Sequence, residues 1–93
     1  MVTIELGQTV VTAGVDVQMK RDASFAVHVK NCMDKHSQGD WGDVCSEDKG
    51  ANDSALKNGE RLLSVYGHES HPKIWIITER DRSSTTVLFP DEY

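Results

Sequence analysis

The heptapeptide KIWIITE, residues 73–79, constrains the fold more than any other stretch of the chain. It places β-branched and aromatic side chains on both faces of an extended segment. Such side chains favour strands, and this content on both faces is typical of a central position in a sheet. We therefore predict that residues 73–79 form a central strand with a neighbouring strand on each side.

The flanking segments supply these neighbours. Over residues 60–66 the side chains follow the period of two that marks a strand. Residues 67–72 are predicted as a loop and residues 80–83 as a turn, because both are rich in turn-forming polar residues. A last strand is expected over residues 85–89, and Pro90 ends it. Together these segments predict a C-terminal three-stranded antiparallel β-meander.

The N-terminal segment carries a weaker strand signal. Apolar and polar side chains alternate over residues 2–6, which predicts a half-buried strand. Residues 9–12 then continue extended or return as a short hairpin. Beyond them Val15 and Met19 lie four positions apart, which indicates one short turn of helix with an apolar stripe.

The best-supported helix covers residues 24–36. Ser24 is predicted as its N-cap, because a side-chain oxygen there can accept from the free N–H groups of the first turn. The opposite, solvated face includes His28. The apolar stripe recurs at helical spacing through Phe25, Val29, Cys32 or Met33, and His36.

A corner is predicted where this helix ends. Gly39 stands where a left-handed residue commonly closes the last turn, and Asp40 follows as a candidate N-cap of the next helix. That helix is expected over residues 42–57, with Gly59 stopping it. Trp41 is predicted to be tucked at the joint, as a large apolar body covering the helix end.

The pattern as a whole predicts an α+β fold in a single domain spanning residues 1–93. An N-terminal strand and two to three short helices would pack on the C-terminal meander. A chain of 93 residues is near the lower end of what buries a self-sufficient core, so a second domain is not expected.

Composition narrows the classes of function. The net charge of −5 argues against direct nucleic-acid binding, which relies on lysine and arginine to neutralise phosphates. The longest strongly apolar run, Ile74 to Ile77, is far short of a membrane span. Residues 1–5 lack the basic and apolar regions of a signal peptide, so a cytoplasmic location is expected.

Two long motifs resemble those of a known family. They are HSQGDWGDVCSEDKGANDSALKNGERLLSVYG and KIWIITERDRSSTTVLFPDEY, and together they cover residues 36–93. The chain is similar here to small bacterial proteins of plasmids and other mobile elements, with a GDWG…WIITExDRSxTT…PxEY pattern. Members often carry the label "type I restriction endonuclease subunit M", although the chain is too short for a methylation subunit. The resemblance implies a genomic setting, possible roles in defence or anti-defence, and no particular chemistry.

A metal site is one hypothesis for the crowded corner. His36, Asp40 and Asp48 could converge where the two helices meet near Trp41, and such a trio could hold a divalent cation. The competing interpretation is structural: His36 bonds a backbone carbonyl, Asp40 caps a helix, and Asp48 with Asn52 faces solvent or the sheet. Capping is the favoured interpretation, because every such fold needs it.

A zinc site is a weaker hypothesis. It would take Cys32, His36 and Cys45, with either His68 or His71 as the fourth ligand. The spacing of Cys32 and His36 suits one helix face, but the remaining spacing matches no established zinc pattern. The alternative is that both cysteines are free thiols that pack as small hydrophobic residues.

The meander carries a candidate binding surface. Arginine and aromatic residues are the usual anchors at the centre of protein interfaces. The alternative is ordinary cross-strand pairing, with Arg61 or Arg82 forming an ion pair with Glu79. The candidate residues are Arg61, Tyr66, Trp75, Glu79, Arg82 and Thr85.

These observations predict a small acidic protein that acts by binding a protein partner. The partner would be a protein of the host or of the mobile element. A homodimer is the alternative. No nucleophile motif surrounds Ser64, Ser83 or either cysteine, so an enzyme is the minority hypothesis, and no cofactor is expected. The alternative function is a small metal-dependent hydrolase or nuclease using His36, Asp40 and Asp48.

Overall fold

A computed structural model describes residues 4–93 of the chain and confirms the α+β class, with three helices and a four-stranded mixed sheet. Within this described part, no helix is both long and apolar enough to cross a membrane. The elements are β1 (Gln8–Val11), α1 (Ala13–Arg21), α2 (Ala23–Ser37), α3 (Ser46–Asn58), β2 (Leu62–His68), β3 (His71–Thr78), β4 (Ser84–Leu88) and a 3₁₀ turn (Pro90–Glu92).

The sheet has the strand order β1-β4-β3-β2. Strands β2, β3 and β4 form the predicted antiparallel meander, in which Ile76 pairs with Ser64 on one side and with Val87 on the other. Strand β3 is therefore interior, as its apolar content on both faces predicts. Strand β1 adds to the free edge of β4 in parallel, so the first and last strands of the chain are neighbours.

The N-terminal strand lies later in the chain than its alternation predicts. Residues 1–3 fall outside the described residues, and residues 4–7 are not part of a strand. The backbone N–H of Ile4 donates to the carbonyl of Ser37, and its buried side chain packs with Trp41. The alternation thus reflects Ile4 packing into the core beside the end of α2, and pairing with the sheet begins only at Gln8.

The loop predicted over residues 67–72 is a tight hairpin instead. Only Glu69 and Ser70 form the turn, and the pairing of β2 with β3 extends to His68 and His71. The register shifts between Tyr66 and His68, and such an irregularity tolerates the adjacent proline in β3. The polar composition of this segment therefore reflects exposure of the hairpin tip and not the absence of strand structure.

Helices α1 and α2 pack on one face of the sheet, called here the inner face. Side chains alternate along each strand, so the even-numbered residues of β2 and β3 point to this face. The main buried cluster joins both layers, with Met19, Met33, Val11 and Phe89 at its margin. Its buried members are Val15, Phe25, Val29, Cys32, Tyr66, Ile74, Ile76 and Val87.

Helix α2 is longer than predicted at both ends and is capped by a different residue. Asp22, not Ser24, is the N-cap, because its Oδ1 accepts from the N–H groups of Ser24 (3.0 Å) and Phe25 (3.2 Å). The predicted closure is confirmed at the other end. Gly39 follows the helix with φ of +81°, and its N–H donates to the carbonyl of His36.

Helix α3 starts four residues later than predicted. It begins at Ser46, with Cys45 at the N-cap position and no side-chain cap. The prediction that Asp40 caps this helix is wrong, because Asp40 Oδ1 instead accepts from the N–H of Gly42 (3.1 Å) in a local turn. Gly59 ends the helix in the left-handed conformation, as predicted.

The corner between α2 and α3 covers the edge of β2 that is not paired with β3. The N–H of Val65 donates to the carbonyl of Trp41 (3.1 Å), and the N–H of Asp43 donates to the carbonyl of Val65 (2.6 Å). One pair further along, the side-chain amide of Asn52 bonds both the N–H and the carbonyl of Leu63, at 3.1 and 2.7 Å. These contacts satisfy the groups that an edge strand otherwise leaves open.

Gly42 makes this approach possible. It bridges to Val65 with φ of +74°, and a Cβ atom there would clash with the Val65 carbonyl and the ring of Tyr66. The GDWG segment is therefore an edge-covering corner. This role explains its two glycines by backbone conformation and close packing.

Trp41 is buried, as predicted, with 4% of its surface exposed. It packs in a second cluster with Ile4, Ala55 and Leu62, and its indole N–H donates to Asp53 Oδ1 (3.0 Å). The side chain therefore joins the N-terminal segment and α3 to β2.

Replacing Trp41 with alanine should lower the free energy of unfolding by about 3–5 kcal/mol, because it removes a buried aromatic side chain and leaves a cavity. Trp41→Phe keeps a ring and loses the bond to Asp53, so a smaller loss is expected. Denaturant melts of both variants measure these changes. A Trp41→Ala protein as stable as the parent would contradict the packing role.

Candidate functional site

The structure does not bring His36, Asp40 and Asp48 together as a metal site. His36 is fully buried, and its two ring nitrogens contact the hydroxyls of Ser64 (2.5 Å) and Thr78 (2.8 Å). Asp48 is exposed on α3. Across residues 4–93, no three histidine, cysteine or acidic side chains are already arranged to hold a metal ion.

The bonds around His36 form a chain whose direction can be derived. The Thr85 hydroxyl donates to the carbonyl of Leu6 (2.7 Å), so it accepts from the Thr78 hydroxyl at 2.8 Å. Thr78 must then accept from His36 Nε2, which carries the proton. In a neutral imidazole the other nitrogen is an acceptor, so Nδ1 accepts from Ser64. Each polar group along this chain has a partner.

The protonation state of His36 agrees with this chain. Burial, helped by the positive charge of Arg82, lowers the pKa of His36 from 6.5 to about 4. The ring is therefore neutral at pH 7, with the single donor and single acceptor that the chain requires. The structural interpretation of His36 is supported, although its partners are hydroxyls and not the predicted backbone carbonyl.

Two residues of the candidate binding surface lie inside the protein. Tyr66 is buried, and its hydroxyl donates to the carbonyl of Asp40 (2.5 Å); burial raises its pKa above the ordinary value. Thr85 is fully buried within the His36 chain. Including them in a binding surface is wrong, because strand register places both on the inner face.

Arg82 is also occupied. It adopts a left-handed conformation with φ of +60°, and its guanidinium donates to the carbonyls of Glu60 (2.6 Å), Glu79 (3.1 Å) and Ala55 (3.4 Å). The side chain thus ties the β3–β4 turn to the end of α3. This contact explains a conformation that is uncommon for a residue with a side chain.

Arg61, Trp75 and Glu79 do share one face of the sheet, opposite α1 and α2, called here the outer face. The predicted ion pair to Glu79 is not formed: within the described residues Lys20–Asp16 is the ion pair of a lysine or arginine with an acid, and His71 Nδ1 lies 3.9 Å from Asp22. Arg61 instead donates to the hydroxyl of Tyr93 (2.8 Å), with its guanidinium carbon 5.2 Å from the ring centroid.

Tyr93 is the residue that sequence reasoning missed. Its ring lies 5.5 Å from that of Trp75, and the residue is 70% exposed. The signal was present in the terminal PxEY motif, but the strand pattern gave no reason to return this tyrosine to the sheet. Arg61, Trp75 and Tyr93 therefore form a continuous cluster on the outer face.

Beside this cluster the outer face carries both apolar and polar side chains, among them Thr86, which pairs with Ile77 and Val10. Strand register places one row of side chains across β2, β3 and β4 on this side, and Val10 of β1 extends it. Helices α1 and α2 pack on the inner face, and α3 lies along the β2 edge. The apolar members beside Trp75 are Leu63 and Val65, which are partly buried, Val10, which is exposed, and Ile77 and Leu88, which are buried beneath the face.

No protein-family model, curated protein or solved structure matches the chain. The resemblance of residues 36–93 to small proteins of mobile elements therefore stays a prediction. The candidate binding surface on the outer face is therefore defined by the contacts of Arg61, Trp75 and Tyr93 alone.

The His36 chain predicts a pH dependence of stability. The folded pKa of about 4 lies below the ordinary value of 6.5, so the unfolded chain takes up the proton first. Stability from this group is complete above about pH 6.5 and is lost as the pH falls towards 4, by up to roughly 3 kcal/mol.

Urea melts between pH 7 and pH 4 measure this loss, with His36→Gln as the matched variant. The variant has no ionisable group here, so it should be less stable at pH 7 and lose less stability on acidification. Other histidines and carboxylates contribute equally to both proteins. Parallel curves would show that His36 is not the titrating group.

Proposed function

We propose that this chain is a small binding protein that engages a protein partner through the outer face. The partner is a protein of different sequence, from the host or from the mobile element that the resemblance predicts. It presents an apolar surface to Trp75 and its neighbours and a carboxylate to Arg61.

The observation that supports the proposal best is the cluster of Arg61, Trp75 and Tyr93 on the outer face. Tryptophan, tyrosine and arginine are the residue types that carry most binding energy in protein interfaces. Here Tyr93 contacts both Trp75 and Arg61. Because these contacts already restrain the side chains, less conformational entropy would be lost on binding.

The charge of the outer face favours this kind of partner. Among the described residues, Arg61 forms no ion pair, and its guanidinium bonds a neutral phenol. A partner carboxylate at the rim would complement that charge. The net charge of −5 opposes association of two copies of the chain, so a second copy is the less favoured occupant.

Single-stranded RNA is a less suitable occupant. Aromatic side chains on an open sheet can stack on bases, but RNA-binding faces also carry several cations that follow the phosphate backbone. The outer face offers Arg61 and Lys73, with Glu79 opposing them, on an acidic protein. Its composition therefore suits a protein surface better.

Replacing Trp75 with alanine should strongly weaken binding of the partner. The parent, Trp75→Ala and Val27→Ala are each used as bait in host lysate, and the recovered protein is then purified for titration. Val27 is the matched control, because it is an aliphatic residue that is 60% exposed on α2, away from the outer face. We expect Trp75→Ala to weaken binding by at least about 30-fold, as for an interface hot spot, and Val27→Ala to bind like the parent.

Two results would contradict the proposal. One is a partner captured equally by the parent and Trp75→Ala, with melting curves showing that both are folded. The other is a parent that sediments as a dimer and that Trp75→Ala converts to a monomer. That outcome would identify the outer face as an interface between copies of this chain.

A further inference from the structure

Three histidines meet at the tip of the β2–β3 hairpin, away from the outer face. His28 lies on α2, His68 ends β2 and His71 begins β3. The ring centroids are 5.1 Å apart for His28–His68, 5.1 Å for His28–His71 and 4.9 Å for His68–His71. The tight hairpin turn creates this cluster, since it holds both hairpin histidines against a helix face that periodicity predicts to be solvated.

These separations match those of imidazoles that share a metal ion. A zinc–nitrogen bond of about 2.0–2.1 Å places each ring centroid about 3.2 Å from the metal, and a tetrahedral arrangement then separates the centroids by about 5 Å. All three separations in the cluster are close to this value. The spacing of the three rings is therefore compatible with a shared metal.

One nitrogen in the cluster is unsatisfied. His71 Nδ1 is buried without a hydrogen-bond partner in the described structure, and the side chain is only 7% exposed. Its nearest acidic group, Asp22 Oδ2, is 3.9 Å away, while Nε2 lies 3.2 Å from the Ser24 hydroxyl. An unpaired buried nitrogen is costly, and a bound cation would relieve this cost.

A fourth donor is adjacent. Cys32 follows His28 by one helical turn, and its Sγ lies 3.6 Å from Nε2 and 3.8 Å from Nδ1 of that ring. Residues four apart on a helix share a face and can bind one metal together. Burial raises the pKa of the Cys32 thiol to about 11, so the thiol is protonated until a metal displaces its proton.

In the described residues 4–93, the ring nitrogens and the Cys32 sulfur do not converge on one point. The rings of His28 and His71 are stacked, with 25° between their planes, so their nitrogens point past each other. Rotation about the side-chain bonds of these two residues would direct nitrogens into the centre. Such a rotation changes side-chain torsion angles of His28 and His71 and leaves the strands and helices in place.

A cleft gives an ion access to the cluster. It has a volume of about 640 Å³ and is lined by His28 and His68, together with Asp40, Asp43 and Lys35. Its three carboxylates, those of Asp34, Asp40 and Asp43, favour a cation and outnumber the single lysine. Burial is the main cause that lowers the pKa of His28.

We propose that His28, His68 and His71 bind one divalent transition-metal ion of the zinc type, with Cys32 as the fourth ligand. Imidazole and thiolate donors suit zinc and cobalt and do not suit magnesium or calcium. On binding, the Cys32 thiol releases its proton to solvent as the sulfur–metal bond forms. The ion would join α2 to the hairpin tip. With the metal on His71 Nδ1, the Nε2–H would donate to the Ser24 hydroxyl as an outer partner.

The test titrates the untagged, chelator-treated chain with Zn²⁺ and Co²⁺. We expect one equivalent to bind with micromolar or tighter affinity, and Co²⁺ to give the visible absorption of a tetrahedral site with a thiolate charge-transfer band. Loss of an outer partner alone weakens metal sites 10–100-fold, so His28→Asn and His71→Asn should each weaken binding by at least about 100-fold. Cys32→Ser should lose the charge-transfer band and bind more weakly.

Controls separate this site from the others. Asp48→Asn should bind the metal like the parent. If the metal were instead held by His36, Asp40 and Asp48, this variant would bind it more weakly. Trp75→Ala should also bind metal normally, so failure of the outer-face proposal leaves this test intact. His68 is exposed, and His68→Asn is expected to fold even where His71→Asn does not.

Two outcomes would overturn the proposal. The first is the absence of saturable binding of Zn²⁺ and Co²⁺ to the folded parent, with no rise in its melting temperature when zinc is added. The second is binding that is unchanged in His28→Asn and His68→Asn proteins whose circular dichroism matches that of the parent.

Discussion

The directional hydrogen-bond chain from Ser64 through His36, Thr78 and Thr85 to the carbonyl of Leu6 is the constraint on which the rest of the structure depends. It joins α2, three strands and the N-terminal segment in the middle of the inner face. Buried polar groups are costly unless every one is paired, so the chain is stabilising only in the correct strand register. A slip of one residue would point these hydroxyls to the outer face and leave the imidazole without partners. Apolar packing supplies most of the driving force, and this chain selects one arrangement.

The sequence predictions were correct where an element depends on neighbouring residues and wrong where it depends on residues distant in sequence. Strand β3 and helix α2 were predicted because their periodicity and flanking residues are local properties. The start of β1 was missed because its partner, β4, lies over seventy residues away in sequence. The hairpin tip was taken for a loop because polar composition cannot distinguish an exposed hairpin from irregular backbone.

The same distinction applies to the sites. Arg61 and Trp75 were named in the predicted surface, and the structure places both on the outer face, in contact with Tyr93. Tyr66 and Thr85 were assigned to that surface in error, because the face of a residue depends on pairing and helix placement. The cluster of His28 with the hairpin histidines depends on where α2 meets the sheet. No spacing in the sequence contains that information.

The pairing of β1 with β4 has a consequence for how the chain acquires its structure during synthesis. As each residue leaves the ribosome, the helices and the β2–β3 hairpin can form from neighbouring segments. Strand β1 has no partner until β4 emerges, so the parallel pairing of Gln8–Val11 and the bond from Thr85 to the Leu6 carbonyl must wait for it. Closing so long a loop late makes this step slow relative to local contacts. A nascent chain therefore exposes its first strand until β4 has emerged, and chaperones or a cognate protein can bind that segment during this interval.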